Sequence, residues 1–522
     1  MSAAVPLHAV AQELDVRARV GPWPAISQPI AYRGRIWFAN SVKGRNHNSA
    51  DIWSLDPVSG KVRYERHLYS QDVGVPLVYR GLLYWPFEDS RFSLGWGMVQ
   101  VTDGANWQPL LVPTATIFHS DSLVAWRDRL LLVTSAWRTG FQVSDNRGRN
   151  WAELYDHPTP ARRLSRFHEP AVLHDTLYGY LKDPGGIRLV RFTGDRLTAV
   201  PGWPKNRYFF ALTRHRGQLY AIVNGEDGHQ LWRTDGQTSE RIGERTLEFS
   251  PVDLAGDGQQ LWAVSRDGWL WSSPEGTGWV RQARVSGGRP SSVHVIAGKI
   301  YVAGAGDDGR GILWGPPLHR LPQPDDPMPL PVPFPATQEP TNWQRLGAEL
   351  DEVLGGITHY RNHARGRLRE LFFQAVERGP PPGFLAGRLK ASMPHGTVKA
   401  FGGGLTVDAS DIAHTLLFWA MGLSKQQDVP TAILSTPWKA TANSFEKYFD
   451  PQPAAIWAVA AAGQKNAATI KALIERLDLG GDPPWLRSQT IGALTALTGK
   501  RYAYDIDRWR EWWASVRTRW DG

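Results

Sequence analysis

The sequence predicts a multidomain β + α chain, a seven-bladed β-propeller followed by an all-α domain, on three observations. A short apolar strand carrying a paired apolar dipeptide recurs seven times between residues 33 and 301, at Ile36-Trp37, Leu83-Tyr84, Leu130-Leu131, Leu177-Tyr178, Leu219-Tyr220, Leu261-Trp262 and Ile300-Tyr301. The spacing falls from about 47 to about 39 residues, within the range of propeller blades and solenoid units. Beyond residue 340 the apolar spacing changes to three and four, which is helical.

Each repeat carries a Gly or Asp turn before this strand and a second alternating strand after it, as in Asp51 to Leu55 and His229 to Thr234. That alternation fits a strand with one face packed on a neighbouring blade. The seventh repeat meets Gly315, Pro316 and Pro317 before an outermost strand can form. Residues 14–20 alternate correctly to supply it, so the first strand is expected to close the last blade and remove two exposed edges. Residues 316–340 are dense in proline and read as an extended, semi-rigid linker. The expected division is therefore propeller over 1–315, linker over 316–340 and helical domain over 341–522.

At 522 residues the chain is long enough for two or three domains. Its 25 Trp, 52 Gly and 38 Pro suit a turn-rich β architecture that buries aromatics between sheets. With no Cys, disulfides, thiolate metal sites and cysteine nucleophiles are excluded. A net charge of +9 over this length is mild, and nucleic acid is not the expected partner. No apolar stretch approaches the length of a spanning helix. The N-terminal residues show neither a basic start nor a continuous apolar core, so no signal peptide is expected and the cytoplasm is the expected location.

In a propeller, loops entering the innermost strand and loops following the second strand share one face and surround the channel mouth. The entry loops place Asp72, His119, Asp121, His168 and Glu169 there. The loops after the second strand add His47, Asp51, Glu88, Asp89, Arg91, Trp137 and Arg138. This mixture of imidazole, carboxylate, guanidinium and indole is what a polar ligand or peptide requires, although propeller rims are polar in any case. His119, His168 and Asp121 lack the local spacing of a metal-ligand set, so no metal and no cofactor is expected. Arg361, Arg365 and Arg369 form a basic stripe that reads as a solvated face beside Glu370 and Glu377.

The segment Ser144, Asn146, Gly148 and Trp151 resembles the Asp box of sialidase-type propellers, with Asn146 in the usual Asp position. Weaker echoes lie at Thr102 to Trp107 and Ser272 to Trp279. Such a box is a turn device: a polar side chain caps backbone N–H groups, Gly takes a positive φ and the aromatic packs beneath. The resemblance implies a sialidase-like propeller. A catalytic member would carry an arginine triad for the substrate carboxylate, a Tyr and acid pair as nucleophile and an Asp as acid/base, roles that the sequence does not let us place, and Arg35-Ile36-Trp37 is only a distant echo of the family's Arg-Ile-Pro segment. Residues 454–497 resemble HEAT-type repeats, with Trp509, Trp512 and Trp513 in a closing helix.

The leading expectation is a non-catalytic recognition or scaffold protein that engages macromolecular partners, protein first and glycan second, through the rim and the helical domain. The alternative is a sialidase-like carbohydrate-active hydrolase or glycan-binding lectin. A glycosidase would show two carboxylates across a pocket at about 5 to 9 Å.

Overall fold

The computed structural model describes residues 12–42, 49–88, 97–112, 119–135, 139–159, 164–244, 246–322, 329–331, 340–357, 367–389, 394–400, 405–438 and 450–520. Seven small antiparallel sheets form a propeller. Blade 1 comprises Ala25–Tyr32, Arg35–Ser41, Asp51–Leu55 and Val62–His67; blade 2, Leu77–Tyr79, Leu82–Pro86, Gly97–Thr102 and Trp107–Val112; blade 3, His119–Trp126, Arg129–Ser135, Thr139–Ser144 and Ala152–Asp156. Blade 4 comprises Arg166–Leu173, Thr176–Asp183, Gly186–Phe192 and Leu197–Ala199; blade 5, Phe209–His215, Gln218–Asn224, His229–Thr234 and Ser239–Ile242; blade 6, Pro251–Gly256, Leu261–Ser265, Trp269–Ser273 and Val280–Arg284. Blade 7 takes Gly288–Ile296, Lys299–Gly306 and Gly311–Gly315 from one end of the propeller sequence and Asp15–Val20 from the other.

The repeated turn has a physical basis. In blades 1, 2, 3, 4, 5 and 7 the first two strands are joined by two residues that both take a positive φ: Arg33 and Gly34, Arg80 and Gly81, Arg127 and Asp128, His174 and Asp175, Arg216 and Gly217, Ala297 and Gly298. This is the mirror-image turn whose twist matches that of a β-hairpin, and Gly or Asp tolerates its second position best. The turns also fasten neighbouring blades. Tyr32 donates its hydroxyl to Gly81 O at 3.0 Å, Tyr79 to Asp128 O at 2.7 Å, and Trp126 Nε1 donates to Asp175 O at 2.9 Å.

The ring is closed by hydrogen bonding. Asp15–Val20 pairs antiparallel with Gly311–Gly315, and the preceding Gln12–Glu13 pairs parallel with Val280–Arg284 of blade 6. The N-terminal segment thus bridges two blades and covers both outer edges. Most of residues 316–340 lie outside the described set. The described parts run along the propeller: His319 N donates to Pro57 O at 2.8 Å, Leu321 is buried with blades 1 and 7, and Arg147 donates to Pro329 O at 2.9 Å.

Helices follow: α1 (Trp343–Gly355), α2 (Arg367–Arg378), α3 (Ala409–Leu423), α4 (Pro451–Ala462), α5 (Ala467–Arg476), α6 (Pro484–Thr498) and α7 (Ile506–Val516). Asn342, Asp450, Asn466 and Asp505 cap the starts of α1, α4, α5 and α7 with their side chains. The helical region is not purely α, because Thr397–Ala400 and Leu405–Asp408 form a hairpin before α3, with Val398 and Val407 opposed and buried. Two β-branched residues facing one way make the hairpin's apolar side. Trp509 and Trp512 of α7 are buried, while Arg510 is paired outside with Asp478 and Asp507. Among the described residues no helix is long and apolar enough to cross a membrane.

Propeller and helices share one core. A continuous apolar cluster runs from Trp37 of blade 1, Trp85 of blade 2 and Tyr69 between them to Leu350, Trp419, Trp457 and Leu494 of the helices. Tyr69 lies 6.3 Å from Trp419 and 6.5 Å from Trp457 between ring centroids. Helix α6 crosses the outermost strand of blade 1 at Gly492, where a Cβ would come within 2.4 Å of His67 Cβ. At the centre of the seam the fully buried Asp51 carboxylate accepts from Trp23 Nε1 at 3.0 Å, faces His67 Nδ1 at 2.7 Å and Tyr64 Oη at 3.5 Å, and accepts from the Tyr504 hydroxyl. Arg501 reaches across to Glu65 of the same outer strand.

Two outcomes test this description. Val20→Asp, a buried position on the closing strand, is expected to cost about 3–5 kcal/mol as an uncompensated buried charge, whereas the exposed Val16→Asp on the same strand stays within about 0.5 kcal/mol; chemical denaturation measures both. A double-mutant cycle of Asp51→Asn with Tyr504→Phe is expected to show a coupling of about 1.5–3 kcal/mol, and additive effects would remove the bond from the seam.

Candidate functional site

The first strands of successive blades lie against one another and line the channel. They carry an irregularity in register: Ser120/Ser122 in blade 3, His168/Ala171 in blade 4, Phe210/Thr213 in blade 5, Pro251/Asp253 in blade 6 and Pro290/Ser292 in blade 7. A bulge turns a side chain out of the regular alternation. In blades 3 and 4 this brings together residues that the sequence separates by almost fifty positions.

His119 is the hub. Its Nδ1 lies 2.8 Å from Glu88 O and 3.4 Å from Glu88 Oε1, and the Arg166 guanidinium lies 3.4 Å from its Nε2. The Nδ1–H tautomer satisfies both neighbours, donating to Glu88 and accepting from Arg166. Asp121, two residues along, accepts from the Ser135 hydroxyl at 2.6 Å. Burial pushes its carboxyl above the ordinary range, against the pull of His119 and His168. Burial holds the His168 imidazole below its ordinary pKa, with Arg166 and His119 adding to the effect and Asp121 opposing it. Glu88, His119, Asp121, Arg166 and His168 therefore form one electrostatically coupled group on blades 2, 3 and 4.

An aromatic shelf adjoins this group. His168 lies 6.0 Å from Tyr180, Tyr180 meets Tyr208 edge-on at 5.7 Å, and the exposed Tyr208 stacks on Phe210 at 6.0 Å. Burial pushes the Tyr180 phenol up to about 12, helped by Tyr208 and Glu169, so it stays protonated as a donor at neutral pH.

The remaining rim candidates divide three ways. Asp51 does not reach the mouth, because it is completely buried in the seam with the helices. Asp72 is also buried, its Oδ1 accepting from Val73 N at 2.8 Å, in a stretch that Tyr69 and Val73 draw into the shared core. Glu169 sits in the blade 4 bulge with φ 52°, and its Oε2 accepts from Leu212 N of blade 5 at 2.8 Å, latching two blades. Asp253 does the same for Val293 N of blade 7. His47, Asp89, Arg91, Trp137 and Arg138 lie outside the described residues, as do Arg361 and Arg365 of the basic stripe. Arg367 beside that stripe is paired with Glu349 and Glu370. Tyr180 is not among the sequence-based candidates; it lies mid-strand, and no loop signal marks it.

Among the described residues no group of three His, Asp or Glu side chains is placed to hold a metal ion. The turn at Ser144 is a structural device: Ser144 Oγ accepts from Gly148 N at 2.8 Å, Asn146 Oδ1 accepts from Asn150 N at 2.9 Å, and Trp151 is buried beneath.

No protein-family model and no curated protein matches this chain. Solved propellers do match in fold. YCF48 from Cyanidioschyzon merolae is 14% identical at a TM-score of 0.40 over 57% of this chain and 97% of that one. Virginiamycin B lyase from Staphylococcus aureus, as a catalytically inactive variant with quinupristin, is 14% identical at 0.42 over 57% and 98%. The β-propeller domain of the Trilobed protease from Pyrococcus furiosus is 11% identical at 0.40 over 59% and 100%. At these values no activity carries over.

The depressed His168 sets the sign of a pH effect. The unfolded chain takes up its proton near pH 6.5 and the folded chain only below that, so this contribution is present above about pH 6.5 and is lost as pH falls toward the folded value. Lowering the pH from about 7.5 to about 5.5 is expected to reduce unfolding free energy more in the wild type than in His168→Gln, and equal losses would count against the half-buried imidazole as the cause.

Proposed function

We propose that this protein is a non-catalytic recognition scaffold whose channel mouth, over blades 2 to 5, takes a polar segment of a protein partner. The observation that carries this reading is the convergence of Glu88, His119, Asp121, Arg166 and His168 on one sector of the rim face. The blade 1 sector, with Asp51 and His67, is covered by the helices. A mixed-charge group beside the exposed Tyr208 supplies donors, acceptors and a flat apolar surface, a combination common at the anchors of protein interfaces. We take 1–315 as the propeller, 316–340 as the linker and 341–522 as the helical unit. The packing of α6 on both α4 and α5, and of α7 on α5, supports a HEAT-like stack. The Ser144 turn supports kinship with Asp-box propellers.

One observation favours the carbohydrate alternative. The exposed Tyr208, stacked on Phe210 along the shelf that begins at His168, offers a sugar ring a flat aromatic face.

The shared core makes the whole 522-residue chain the proper bait. His119→Ala combined with His168→Ala is expected to abolish capture of whatever protein or glycan the wild type retains in an affinity capture run beside a glycan array, with the melting temperature nearly unchanged. Capture that survives the double substitution would move recognition away from the mouth. A large fall in melting temperature would make these histidines pins between blades.

A further inference from the structure

The seam between propeller and helices holds a partly open cavity of about 290 Å³, which none of the channel mouth residues lines. Its floor is the outermost strands of blades 1 and 2, with Glu65, Arg66, Asn106, Trp107 and Gln108; its roof is the C-terminal ends of α3, α4 and α6. Three cations line it, Arg66, Lys425 and Arg501.

Two of these cations have an explanation. Lys425 and Arg501 follow the C-termini of α3 and α6, where positive charge is favourable against the exposed carbonyl ends. Arg501 is also bound to Glu65. Arg66 is different. It rises from a strand, and among the described residues it has no carboxylate partner; its guanidinium carbon lies 5.8 Å from the centre of the Trp107 ring. Glu65, the carboxylate of the lining, is already engaged by Ser54 Oγ at 2.5 Å and by Arg63 Nε at 2.7 Å as well as by Arg501. Arg66 is half-buried, and burial draws its guanidinium down to about 10, so it remains charged at neutral pH.

A charge partly removed from water without a counterion is costly. A guanidinium that lines a cavity with no carboxylate partner among the described residues suits a planar or tetrahedral oxyanion. The volume lies at the small end of ligand pockets, of about 300 Å³, and so suits a small metabolite rather than a polymer. We propose that this cavity binds a small organic anion, carboxylate- or phosphate-bearing, held by Arg66 with Lys425 as a second cation, and that its occupancy ties the helices to blades 1 and 2.

The experiment uses the 522-residue chain at constant ionic strength, titrated by calorimetry with sodium phosphate and, separately, sodium succinate, with sodium chloride as the reference. Saturable binding of phosphate, of succinate, or of both is expected, with a matching rise in melting temperature; the pattern distinguishes a phosphate ligand from a carboxylate one. Arg66→Leu is expected to weaken that binding at least about tenfold. Lys425→Asn, at an exposed position with φ 57° that Asn tolerates, is expected to weaken it severalfold with only a small fall in the ligand-free melting temperature, and it carries the test should Arg66→Leu fail to fold. The His119→Ala and His168→Ala pair is expected to bind the anion as the wild type does, which separates this site from the mouth. No saturable heat beyond chloride, or affinity unchanged in the Arg66 and Lys425 variants, would overturn the proposal.

Discussion

A fully buried carboxylate needs several donors, and Asp51 draws its donors from both halves of the chain. Trp23 precedes blade 1, Tyr64 and His67 belong to its outermost strand, and Tyr504 follows α6. The loss of any donor leaves a desolvated negative charge, so these groups hold one another in place. That constraint makes the propeller and the helices one packed body in this region. It also fixes which part of the rim face stays open, since α6 and the ends of α3 and α4 cover the blade 1 side.

A second constraint is closure. A seven-sheet ring built in chain order ends with one sheet a strand short, and its edge is satisfied only by the distant Asp15–Val20. Within the ring, side chains at the bulges of the innermost strands take over where the regular ladder fails. Glu169 and Asp253 each accept a backbone N–H from the next blade. The same irregularity in blade 3 is where Asp121 accepts from Ser135 beside His119. Blade-to-blade latches and the Asp121 bond beside His119 thus share one backbone device.

That explains how far the rim could be read from sequence. His119, His168, Asp121 and Glu88 were recognisable because loop position in a propeller follows from strand order, and strand order was visible in the repeated turns. Their mutual distances were not, because each belongs to a different blade or a different loop. Asp51 has the same loop position as a rim residue and is instead sealed under helices more than 400 residues away in the chain. Arg66 gave no signal at all: an Arg in an alternating outer strand reads as solvent-facing until a second domain is laid over it.

The sequence by itself determined the blade count, the mirror-image turns and the switch to helices, because these follow from local chemistry: a positive φ at Gly or Asp, and an apolar period of two or of three to four. It also contained the closing strand, since an edge without a partner calls for one. Tertiary structure alone decided which polar groups meet, which face is covered and where a charge is left facing a cavity. Those outcomes depend on desolvation and on donors contributed by remote segments, and neither quantity is encoded in any short stretch of chain.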